Sequence, residues 1–234
     1  MINILVTLDS GYIKPLKVML KSLFINNLEE SFSVYLLHSS IKDEELLDLD
    51  KYITSQGHDF EAIFIGDDLF HNAPVLLHYT KEMYYRLLAW KVLPKGLDRI
   101  LYLDPDILVI NPIRDLYDTD IEGFLYAAAY HDKISIREIN KIRFNAYDLE
   151  AYYNSGVLLM NLELQRQSVD EQAIFEFVEN NKSKLVMPDQ DTLNCLYSKQ
   201  IKSIDEKLYN YDARFYNYYN CLLYTSPSPR DMRR

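Results

Sequence analysis

A chain of 234 residues, 48% hydrophobic and 26% charged, is long enough for one large α/β domain with a sizeable core. Its formal charge of −10, from 25 basic against 35 acidic residues, argues against a nucleic-acid partner, which demands a basic face. No apolar run approaches the roughly 18 residues of a membrane span, the start Met1-Ile2-Asn3-Ile4 lacks a basic signal region, and the two cysteines build no disulfide framework, so a reducing, cytoplasmic setting is expected.

Residues 2–8 are apolar without strict alternation, the pattern of a strand buried on both faces. A turn at Asp9-Ser10-Gly11 leads into a helix with Leu16, Met19, Leu20 and Leu23 on one face. Phe32–Leu37 reads as a strand, 42–54 as an acidic amphipathic helix and Phe60–Ile65 as a third strand. This β-α-β-α-β alternation predicts a mostly parallel sheet with helices on both faces. Residues 80–92 read as one helix, stopped by Pro94-Lys95-Gly96, and Arg99–Leu103 as a short strand running into Asp104-Pro105-Asp106. Leu125–Ala129 and Gly156–Leu162 are further strands, with helices over 168–181 and 190–197. From Cys221 onward, Cys-Leu-Leu-Tyr-Thr-Ser-Pro-Ser-Pro-Arg-Asp has no periodicity and resembles a translated sequencing adapter. The expected organisation is therefore one domain over 1–220, incomplete at its C-terminus, and a non-native or disordered tail over 221–234.

Asp104-Pro105-Asp106 is the sharpest chemical feature. Ligands of open α/β sheets bind outside the carboxyl ends of strands. Two carboxylates spaced by one residue there suit a hard cation, magnesium or manganese, and the diphosphate it neutralises. A plain strand-to-turn junction would also use Asp and Pro. Asp9, after Thr7 and Leu8, reads either as a helix cap or as an acceptor for a base or ribose, with Tyr12 placed to stack. Arg86, on an otherwise apolar stretch, needs an anionic partner, either an acid of this chain or a ligand. Asn154-Ser155-Gly156 and Pro188-Asp189-Gln190-Asp191 are polar turns at element starts. Helix capping explains the two acids, and sugar hydroxyls are bound by the same side-chain types.

Five segments in order carry a resemblance: the opening strand into Asp9 and Tyr12; Tyr84-Tyr85-Arg86-Leu87; Leu101 to Val109 around Asp104-Pro105-Asp106; Tyr153 to Leu162; and Asp189-Gln190-Asp191-Thr192-Leu193-Asn194. Together they resemble glycosyltransferase family 8, the family of glycogenin and bacterial lipopolysaccharide galactosyl- and glucosyltransferases, over nearly all of residues 1–200. The resemblance implies a nucleotide-diphospho-sugar transferase fold of the GT-A type. It implies a retaining hexosyl transfer from UDP-glucose or UDP-galactose to a glycan or lipopolysaccharide-type acceptor. By the same resemblance, Asp104 and Asp106 hold Mn2+ or Mg2+. Thr7, Leu8, Asp9, Tyr12 and the Asp104-Pro105-Asp106 triplet hold the nucleotide, and Arg86, Asn154, Asp189 and Gln190 surround the donor sugar. His78 approaches the acceptor.

Retention by double displacement requires a carboxylate nucleophile. The best-placed match is the amide Gln190, so front-face return is expected, with Asp191 the reserve nucleophile. The chain departs from the family's pattern twice. Gly11 stands where an asparagine is frequent, and the C-terminal His-x-x-Gly…Lys-Pro-Trp segment, which supplies a third metal ligand, has no counterpart, since no histidine follows His131. Weak binding of UDP and metal, poor transfer, and peripheral membrane association of the full-length protein are the corresponding expectations. The competing readings are a nucleotidyltransferase, disfavoured because Thr7–Tyr12 is no Gly- and Lys-rich phosphate loop, and a non-catalytic nucleotide-sugar-binding fragment.

Overall fold

The computed structural model describes residues 1–66, 82–130, 134–146, 149–212 and 225–226. Seven strands form one sheet in the order β3-β2-β1-β4-β7-β6-β8. They are β1 (Ile2–Thr7), β2 (Phe32–His38), β3 (Asp59–Phe64), β4 (Arg99–Leu103), β6 (Tyr126–Tyr130), β7 (Tyr153–Asn161) and β8 (Ile201–Ile204). A short β5 (Leu108–Val109) pairs antiparallel with β9 (Thr225–Ser226) outside it. Within the large sheet only β7 runs against its neighbours; β1 pairs parallel with β2 and β4, β2 with β3, and β6 with β8. This is the mixed, mostly parallel sheet that the alternation predicts.

Both faces are covered, and the period-2 geometry of strands divides the apolar side chains between two cores. Ile4, Val6, Leu101, Leu103, Val157 and Leu159 face one core, which includes α1 (Ile13–Ile25) and α2 (Asp43–Thr54). Leu5, Ile100, Tyr102, Leu158 and Met160 face the other, with α3 (Glu82–Tyr85), α4 (Ala89–Val92), α7 (Leu162–Ser168), α8 (Glu171–Asn181) and α9 (Pro188–Tyr197). Helix α1 shows what decides such placements. It has no side-chain cap at Tyr12, a loss of about 1 kcal/mol, yet it buries Leu16, Met19, Leu20 and Leu23 completely. Each of these contributes roughly 1.5–3 kcal/mol. Packing wins.

The expected single helix over 80–92 is two short helices separated by a turn at residues 86–88, where Leu87 N bonds Tyr84 O and Leu88 N bonds Tyr85 O. The break lets Arg86 turn inward. Other boundaries move as well: residues 162–168 form their own helix before α8, which starts at Glu171, β7 begins three residues before the expected Gly156, and α9 begins at Pro188, two residues before the expected start. Elements α5 (Arg114–Tyr117), α6 (Ile134–Phe144), β8 and α10 (Glu206–Tyr209) complete the described fold. Among the described residues no helix is long and apolar enough to cross a membrane.

Candidate active site

The antiparallel course of β7 builds the site. Strands β1 and β4 end at the sheet's carboxyl edge, whereas β7 starts there. The pairing of Leu103 with Val157, continued by Asp104 N donating to Gly156 O at 2.8 Å, therefore sets Asn154-Ser155-Gly156 beside the end of β4. Two segments 50 residues apart in sequence become neighbours by register alone.

Arg86 is the centre of this edge. It is 8% exposed, and its Nη1 lies 3.0 Å from Ser155 O, 3.1 Å from Asp104 Oδ1 and 3.3 Å from Asp189 Oδ2. Its guanidinium carbon stands 4.3 Å from the centroid of the Tyr102 ring, a stacked cation–π contact. Burial works against the charged guanidinium, but Tyr102, Asp104 and Asp189 outweigh it and hold Arg86 above its ordinary range. The Tyr102 hydroxyl donates to Asp104 Oδ1 at 2.6 Å and lies 3.5 Å from Thr7 Oγ1. Burial keeps this phenol protonated, its pKa well above the usual value.

Ser155 ties the same edge to the start of α9. Its hydroxyl donates to Asp189 Oδ2 at 2.9 Å, and its backbone amide donates to Gln190 Oε1 at 3.0 Å. Asn154 Oδ1 accepts from Gly156 N at 2.7 Å and from Asn210 Nδ2 at 2.8 Å. Thus Thr7, Arg86, Asp104, Asn154, Asp189 and Gln190, spread over more than 180 residues of sequence, meet in one connected set of contacts.

The other expected residues are placed as follows. Asp9 Oδ1 accepts from Gly11 N at 2.7 Å, capping the 3-10 turn Ser10–Tyr12, and Tyr12 packs partly buried against the core. The Leu8 side chain lies in the core at 3% exposure, so only its backbone can meet a ligand. Pro105 is buried, and Asp106 is partly exposed at the edge. His78 lies outside the described residues. Asp191 is fully buried, and four donors fill its carboxylate. Val186 N and Met187 N bond Oδ2 at 2.8 and 3.0 Å, while Arg143 Nη2 and the Tyr152 hydroxyl bond Oδ1. Tyr102, Ser155, Arg143 and Tyr152 take parts that the motifs did not assign. Tyr102 had a signal, since residues i and i+2 of a strand share a face and Asp104 follows it by two. Arg143, 48 residues from its partner, had none.

With this geometry in hand, the relationships are direct. The model of glycosyl transferase family 8 matches residues 3–227. The chain belongs to that family. It is 26% identical over 200 residues to general stress protein A of Bacillus subtilis, a match covering 82% of this chain and 68% of that one. It is 26% identical over 209 residues to glycosyltransferase GlyF of Streptococcus pneumoniae, covering 89% and 48%. It is 24% identical over 196 residues to lipopolysaccharide 1,2-glucosyltransferase of Escherichia coli, covering 83% and 58%. The chain thus spans about half to two-thirds of these relatives' length. Among solved structures, galactosyltransferase LgtC, crystallised with donor and acceptor sugar analogues, superposes with a TM-score of 0.85 at 23% identity, over 97% of this chain and 87% of that one. The fold is of the GT-A nucleotide-sugar transferase type, and the family is one of glycosyltransferases.

Proposed function

We propose that the chain is a retaining hexosyltransferase that uses a UDP-hexose, glucose or galactose, and a glycan or lipopolysaccharide-type acceptor. The observation that carries this reading is the convergence of Asp104, Asp189 and Ser155 on Arg86, with Gln190 held by Ser155, at the carboxyl edge of the sheet. In this reading Asp9 and Tyr12, at the end of β1, take the uridine, while Asn154, Asp189 and Gln190 take the sugar.

The donor set suits a hard divalent cation, manganese or magnesium. Asp104 and Asp106 offer carboxylate oxygens at a strand end, and both contacts described for Asp104 fall on Oδ1, so that Oδ2 is available. Among the described residues no third His, Cys, Asp or Glu joins them. When bound, the cation supplies Lewis-acid stabilisation of the departing diphosphate. Arg86 adds a fixed positive charge on the same side, already oriented by Tyr102 and Asp189, and so costs little reorganisation during reaction.

In the transfer, the bond from the anomeric carbon to the diphosphate oxygen breaks and a bond to the acceptor oxygen forms on the same face, the acceptor proton passing to the departing phosphate. The amide of Gln190, held by Ser155 N, supports developing positive charge at the anomeric carbon through its carbonyl dipole. Asp191 is a poor nucleophile here. Attack would require it to give up hydrogen bonds from two amides, an arginine and a tyrosine, each charge-assisted bond contributing about 1.5–3 kcal/mol. Front-face return follows as the favoured course.

The test is calorimetric titration of UDP into the chain with and without manganese, repeated with Asp106→Asn. Manganese-dependent binding that disappears in the variant is expected. Equal binding by both proteins would remove Asp106 from the site and with it this account of the metal.

A further inference from the structure

A carboxylate presents two oxygens, and a cation site works only if the right one faces the ion. At Asp104 the two oxygens have different surroundings. Oδ1 accepts from the Tyr102 hydroxyl at 2.6 Å and lies 3.1 Å from Arg86 Nη1. Oδ2 has no donor among the described residues, and Gly156 lies beside it. A Cβ built on residue 156 would stand 2.7 Å from Oδ2 and 3.0 Å from Asn154 Oδ1. Gly156 has no positive φ, so its backbone does not call for glycine. The space beside Oδ2 does.

Tyr102 is built for its part. The ring stacks on Arg86, which a phenylalanine would do equally well, so the hydroxyl has a separate task. With Thr7 Oγ1 on its far side at 3.5 Å, the phenol can accept from Thr7 and direct its single proton at Asp104. The fixed β4–β7 register, Leu103 opposite Val157, then brings Gly156 alongside the same carboxylate.

We propose that Tyr102 and Gly156 are positioning residues for Asp104: Tyr102 ties Oδ1 back to the Arg86 cluster, and Gly156 keeps Oδ2 open toward a divalent cation. This inference rests on the reading of Asp104 as a ligand. It predicts that the hydroxyl of Tyr102 and the missing side chain of residue 156 tune cation affinity without touching the cation.

The experiment measures free Mn2+ by electron paramagnetic resonance in titrations of the 234-residue chain at saturating UDP. It uses wild type, Tyr102→Phe, Gly156→Ala and Asp104→Asn, with UDP affinity in the absence of metal and Tm recorded for each. Loss of an outer-shell partner typically weakens a metal site 10–100-fold. Tyr102→Phe is expected to raise the Mn2+ dissociation constant about tenfold, with metal-free UDP affinity unchanged, and Gly156→Ala to raise it at least as much. If Asp104→Asn abolishes Mn2+ binding while Tyr102→Phe binds as wild type does, the inference is overturned and the ligand reading stands. If wild type binds no Mn2+, or Asp104→Asn binds it normally, both fall. A Tyr102→Phe chain that loses Tm and metal-free UDP affinity in step with Mn2+ affinity would show a merely structural role and also overturn the proposal.

Discussion

Two arginine–carboxylate–tyrosine clusters flank the start of α9, and they use the same chemistry for different ends. In one, Arg86 meets Asp104 and Asp189 beneath Tyr102, and the Asp104 side chain is still 30% exposed with one oxygen that takes no donor among the described residues. In the other, Arg143 and Tyr152 meet Asp191, which is fully buried and has both oxygens filled. The difference lies in saturation. A carboxylate whose acceptor sites are all occupied by the protein holds the protein together, whereas one with unused capacity at a rim is available to a ligand. Neighbouring positions on one helix, Asp189 and Asp191, thus belong to different machines.

Asp191 is where the two clusters should differ most. Asp191→Ala leaves Arg143 without its partner and two amides without an acceptor, and is expected to cost about 3–5 kcal/mol, read as a large fall in the urea midpoint. A loss under about 1 kcal/mol would mean that this cluster is not an anchor. Arg86→Met should cost less stability, about 1–3 kcal/mol, because Ser155 still donates to Asp189, yet it should eliminate UDP-sugar binding by calorimetry. The two variants should rank in opposite order for stability and for binding.

A pH ramp separates both clusters from the rest of the protein. Burial holds His38 and His58 below the ordinary imidazole range. Each therefore takes up its proton at lower pH when folded than when unfolded, and the unfolded chain takes up protons as pH falls through about 6.5, so stability from this source is present above that pH and is lost on acidification. The urea midpoint should fall between pH 7.5 and 5.5, and the His38→Gln/His58→Gln double variant should flatten that slope. The smallest effect is local. Burial, aided by the Asp191 carboxylate, pushes the Cys195 thiol up to about 12. In a Cys221→Ser background, alkylation at pH 8 should be slow, and Asp191→Asn should speed it several-fold, as measured by mass spectrometry.

Much of this was legible in the chain itself. Apolar runs bounded by turns marked β1, β2 and β4, and the ordered motifs identified the family and the edge of the sheet that carries the site. What stayed hidden was long-range. Arg86 breaks a helix that periodicity reads as continuous, because no local pattern records the two carboxylates waiting for it. Helix α6 mixes isoleucines with charges, and β8 is four residues of half-buried edge, so neither stands out from its surroundings. The separate fates of Asp189 and Asp191 depend on Ser155, Arg143 and Tyr152, 34 to 48 residues away.

The reversed direction of β7 also bears on how such a protein can diversify. Tyr130, at the end of β6, pairs with Tyr153, at the start of β7. The end of β6 and the start of β7 therefore lie side by side on the rim where the substrates are proposed to meet, with α6 among the described residues between them in sequence. Exchanging the segment between them for one of another length would require two adjacent cuts, provided that Arg143 and Tyr152, which hold Asp191, are kept. A lineage could vary the rest of that segment there while the strands and the residues around Arg86 are copied unchanged.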